Sequence, residues 1–98
     1  MELPKIFIGK GEVKGFLFNQ VSSNKEAYIY KVDNKGVFYY EVFRRVKTPI
    51  CIDFEKRIYS DTEFKEVYPK SKQFGISAWS FSSIEKATEK FNTLKSID

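Results

Sequence analysis

Apolar and polar positions alternate with a period of two along most of this chain, and a helical period takes over only near its C-terminal end. Glu26 to Asp33 and Val37 to Val46 are the clearest strand runs, separated by Asn34-Lys35-Gly36. A three-residue loop with glycine last fits a type I turn closed by a G1 bulge, which sets the register of a hairpin. In that register Val32 faces Phe38, Tyr30 faces Tyr40, Tyr28 faces Val42 and Glu26 faces Arg44 on a core side. The other side pairs Lys31 with Tyr39, Ile29 with Glu41 and Ala27 with Phe43, a mixed and partly wet surface. A slip of one residue would exchange the two roles.

Ahead of the hairpin, Lys5 to Ile8 and Glu12 to Val21 read as strand broken by Gly9, Gly11 and Gly15, hence a kinked or bulged edge with a turn at the glycines. Gly9-Lys10-Gly11 lacks the Lys-Ser/Thr ending and the following helix of a phosphate loop. After Thr48-Pro49, the run Ile50 to Phe54 predicts a further strand with Cys51 buried in its middle. Ser60 and Glu63 have capping-box spacing, and Phe64, Val67 and Tyr68 follow on one helical face, so a short helix is expected over 61–68, ended by Pro69. Phe74 to Phe81 returns to extended structure. A second capping box, Ser82 and Glu85, opens a helix whose stripe is Ile84, Ala87, Phe91 and Leu94.

The expected fold is therefore α+β: an antiparallel, curved sheet of four to five strands packed against a C-terminal amphipathic helix, with a small extra helix near 61–68. At 98 residues without an internal repeat or linker, a single domain over 1–98 is expected. Aromatic residues make up 17% of the chain, an excess that favours sheet.

Composition narrows the chemistry. The chain has no histidine and one cysteine, so it has neither an internal disulfide nor a Cys/His zinc set, and no imidazole base for a serine or cysteine nucleophile. Asp53, Glu55, Asp61, Glu63 and Glu41 are the carboxylate candidates, and nothing in the sequence supplies the groups that would orient them. The expectation is a non-enzyme with no cofactor and no metal. Met1 to Lys5 lacks a basic start leading into a long apolar run, and no segment reaches membrane-spanning length, so a cytoplasmic protein is expected with no membrane partner.

A net charge of +4 with both signs interleaved permits an anionic partner without requiring one. On the mixed hairpin face, Lys31, Tyr39 and Phe43, with Arg45 further along and Arg44 beside it, combine rings with cations. Such a surface suits a protein hot spot, and it also suits stacked bases with neutralised phosphates. Several strands followed by a helix is an element order that resembles the PUR-repeat and Whirly-type single-strand binders. That resemblance implies a curved sheet that dimerises to hold nucleic acid. The residues themselves favour a non-catalytic module that binds a protein partner or a second copy of itself through Lys31, Tyr39, Phe43, Arg44 and Arg45. Single-stranded nucleic-acid binding by the same face is the alternative.

Overall fold

Aromatic and β-branched residues alternate along the first two thirds of the chain, and each run becomes a strand. In the computed structural model, which describes residues 2–94, these are β1 (Ile6–Ile8), β2 (Leu17–Ser23), β3 (Ala27–Asn34), β4 (Val37–Arg44), β5 (Lys47–Asp53), β6 (Ile58–Glu66) and β7 (Ala78–Phe81). One α-helix, α1 (Ile84–Thr93), follows them, and two short 3-10 turns lie at Gly11–Val13 and Ser71–Gln73. The main sheet runs β1-β2-β3-β4-β7 with every pairing antiparallel, and β5 and β6 form a separate two-stranded ribbon. The α+β architecture with an antiparallel sheet and a C-terminal helix is as expected. The ribbon set apart between β4 and β7 departs from a plain sheet-and-helix unit.

Several expectations about these elements are corrected. The β3–β4 loop has two residues, not three: Lys35 and Gly36 both take positive φ, 53° and 90°, the signature of a type I′ turn. Asn34 is thereby freed to pair with Val37, and the register moves by one, so that Val32 faces Tyr39, Tyr30 faces Glu41 and Tyr28 faces Phe43. A type I′ turn follows the right-handed twist of its strands, and glycine at its second position accepts the left-handed conformation without strain.

The helix expected over 61–68 is absent, because residues 61–66 belong to β6 and Val67 and Tyr68 follow it outside any helix. The Ser60 signal is nevertheless real. Its hydroxyl accepts hydrogen bonds from the backbone N–H groups of Thr62 and Glu63 at 3.2 and 2.8 Å, as an N-cap would. The result is a local excursion, with register shifts against β5 between Pro49 and Asp53, rather than a helix. The following residues are claimed by pairing instead: Phe64, Lys65 and Glu66 register with Pro49, Thr48 and Lys47. Cys51, expected to be buried, is exposed, because the ribbon has no second layer over it.

The sheet buries both faces, by different means. On one, Ala27, Ile29 and Val42 meet Ala87, Phe91 and Leu94 of α1. That is the predicted helix stripe, although the N-cap is Ser83, one residue later than expected, accepting from Lys86 N at 3.3 Å. On the opposite face lies a layer of rings: Phe18, Tyr28, Tyr30 and Phe43 are fully buried, with Phe7, Tyr68 and Phe74 packed against them. Phe7 stacks on Phe18 at 4.6 Å, and Tyr30 on Phe43 at 5.6 Å. The Tyr68 ring stands edge-on to Phe18 at 5.1 Å and Phe43 at 5.5 Å, so a side chain two residues past the end of β6 plugs the middle of this layer. Gly9 allows the chain to fold back tightly here, since a Cβ at that position would lie 2.3 Å from the Val13 carbonyl oxygen.

Candidate functional site

The one-residue change of register decides where the five sequence-predicted binding residues go. In β4, Tyr39 and Phe43 share the ring-layer face, whereas Arg44 sits opposite Ala27 on the helix side with Lys31. Phe43 has no exposure at all. Tyr39 is half-buried, and Lys31 lies over the ring of Phe38 at 4.6 Å. Arg44 is exposed. Arg45 is committed inside the fold: its Nε donates to Glu66 at 2.6 Å, its Nη1 to the Asn24 carbonyl at 2.8 Å, and its guanidinium covers the Tyr28 ring at 4.8 Å. The five therefore do not form one surface.

Two buried carboxylates that the sequence placed on a wet strand or in a helix organise the ring layer instead. Glu66 is 6% exposed and accepts from the Tyr28 hydroxyl, from Arg45 and from the Leu3 N–H. Burial alone would raise its pKa, but the hydrogen bonds from Tyr28 and Arg45 outweigh it and hold the carboxyl below the ordinary range. This network ties the base of the β5–β6 ribbon to the sheet. Glu41 is 3% exposed, and among the described residues it makes no ion pair. Burial pushes its pKa up to about 7, despite the hydrogen bonds offered by the Tyr68 hydroxyl, at 2.5 Å, and by Tyr39. The signal for Glu41 was available in the sequence as a lone charge inside the run Val37 to Phe43; its burial depended on the register.

A cleft of about 650 Å³ opens above Glu41, between the turn after β1 and the connection from β6 to β7. Val13, Tyr68, Pro69 and Phe74 form its apolar wall, Ser80 of β7 lies opposite Glu41, and Lys10, Lys70 and Lys72 line it as well. It is concave, largely apolar and supplied with a few convergent polar groups, as ligand sites are.

The other conspicuous surface is the ribbon, an arm whose strands pair with each other and which is tied to the main sheet at its base through Glu66. Phe54 at its tip is 85% exposed and Ile52 67%. Ile58 and Tyr59 are also exposed. The sheet has bare apolar residues too: Ile6 and Ile8 on its β1 edge, and Phe38 on β4, are all more than half exposed. No helix among the described residues is long and apolar enough to cross a membrane. Compared with known families, curated proteins and solved structures, the chain matches no family model, no curated protein and no solved structure.

Proposed function

We propose that this protein is a cytoplasmic, non-catalytic interaction module that self-associates through its β5–β6 arm. The observation that carries this reading is the uncovered apolar surface of the arm, with Ile52 and Phe54 at 67% and 85% exposure. A two-stranded ribbon is marginal in water by itself, and contiguous apolar exposure on a soluble chain marks an interaction site.

A second copy is the occupant favoured by two features of the same chain. The arm, 47–66, carries four cations and five carboxylates, a net of −1, which leaves +5 on the remainder of a chain whose total is +4. The sheet offers uncovered apolar residues of its own, Ile6 and Ile8 on the β1 edge and Phe38 on β4. Reciprocal docking of each arm on the other copy's sheet covers both patches and closes with two-fold symmetry.

Light scattering coupled to size exclusion tests this. The expected result is a dimer at tens of micromolar that becomes monomeric in an Ile52→Ser/Phe54→Ser variant with an unchanged far-UV spectrum. A wild-type monomer at several hundred micromolar overturns the reading. Micromolar binding of single-stranded oligonucleotides that weakens steeply with salt would put nucleic acid in its place.

A further inference from the structure

We propose that the cleft above Glu41 binds a small amphipathic anion, an aryl or short-chain acyl carboxylate. Its apolar body would lie against Tyr68 and Phe74, and its charge would meet Lys10, Lys70 and Lys72. The volume, about 650 Å³, falls within the range of small-molecule sites. The three lysines come from two separate segments, Lys10 from the turn after β1 and Lys70 and Lys72 from the chain leading to β7, yet they line one concavity. Among the described residues none of their ammonium groups is in an ion pair. Glu12, the other acid at this mouth, accepts a hydrogen bond from the Ser71 hydroxyl at 3.3 Å.

The sign of the ligand follows from this arrangement. A cation would have to pass three ammonium groups to reach a carboxyl already occupied by tyrosine hydroxyls. An anion meets those groups first. A nucleic-acid strand needs a continuous basic track, whereas these cations converge on a single hollow. A protein hot spot is typically poor in lysine. An apolar wall with cations at its mouth matches a molecule that is apolar along its body and charged at one end.

Glu41 forms the floor and makes the site sensitive to protons. The groups that face it are Tyr39 from its own strand, Ser80 from β7 and Tyr68 from the chain after β6, with Lys10, Glu12, Lys70 and Lys72 further out. Protonated, the carboxyl is neutral and tolerates an incoming anion. Ionised, it adds a negative charge at the bottom of the cleft and opposes binding.

The test is calorimetric titration of 2-naphthoate into the full chain at low salt, with 2-naphthamide as the neutral isostere. Near pH 6 the naphthoate should bind at least about fivefold more tightly than the amide, a difference of roughly 1 kcal/mol. Lys70→Ala/Lys72→Ala should weaken naphthoate at least about threefold, while Arg44→Ala, which removes an exposed cation on the helix side of the sheet, leaves it unchanged. Wild-type affinity should fall between about pH 6 and about pH 8, and Glu41→Gln should bind without that fall. Equal affinity for the amide, no saturable binding, indifference to the lysine substitutions, or an equal loss on Arg44→Ala would each overturn the assignment. A pH slope retained in Glu41→Gln would remove Glu41 from the site. Since all these variants leave Ile52 and Phe54 in place, failure here is separable from failure of the dimer.

Discussion

Replacing Glu41 by glutamine should abolish most of the pH dependence of folding stability near neutrality. In the folded protein this carboxyl holds its proton up to about pH 7, against an ordinary value of 4.5, because it is buried. Between those values the folded protein keeps a proton that the unfolded chain has released, so stability falls as pH rises. The contribution is whole below about pH 4.5 and gone once pH passes about 7. Integrated from about pH 5 to about pH 8, it amounts to roughly 2–3 kcal/mol. Few other groups interfere in that window: the chain has no histidine, and Glu66, held below the ordinary range, stays ionised throughout. A glutamine in this place keeps an acceptor for the Tyr68 hydroxyl and never ionises. Urea titrations at the two pH values should show the wild type weaker at the higher pH and the variant nearly level, with the same denaturant slope in both. Equal wild-type stability at the two values, or the same loss in the variant, would refute the reasoning.

Two further substitutions test the backbone. Gly9→Ala should destabilise by roughly 1–3 kcal/mol by thermal melting, because its Cβ would meet backbone at 2.3 Å and the side chains of Val13 and Phe18 at 2.7 and 2.9 Å. Lys35→Asn should raise stability by about 0.5–1 kcal/mol, since Lys35 is held at φ 53° and asparagine tolerates the left-handed region and favours the type I′ turn; an unchanged melting temperature would count against that turn as the register-setting element.

How much was legible in the sequence follows from the range of each determinant. The C-terminal helix was readable because its signals are local: a serine cap, a glutamate near it and a four-residue apolar stripe, all of which recur in the structure around Ser83. The strands of the main hairpin were equally readable from alternation. Their register was not, since it depended on whether Asn34 belonged to the turn or to β3, a choice that twist decides across the whole ribbon. The candidate surface of Lys31, Tyr39, Phe43, Arg44 and Arg45 inherited that choice, and one residue of slip divided it between two faces. Ser60 shows the opposite limit. Its hydrogen bonds were foreseen, and the helix they usually announce did not follow, because Glu66 and Tyr68 are drawn into the ring layer from far along the chain. The Glu41 cleft was invisible for the same reason, being assembled from residues 10–13, 41 and 68–80.

Tyr68 also has a bearing on the order in which the molecule assembles. Strands β2, β3 and β4 are joined by short turns and close at little entropic cost, whereas β4 meets β7 only after residues 45–77 have been looped out. That loop includes the arm, and the arm's returning end delivers Tyr68 to rings that the meander has already lined up. The meander is thus expected to form first, with the pairing of β7 and the docking of the helix following closure of that loop. An arm that looks like an appendage is in this sense the clasp of the fold, and shortening it would change the rate of closure before it changed the shape of the sheet.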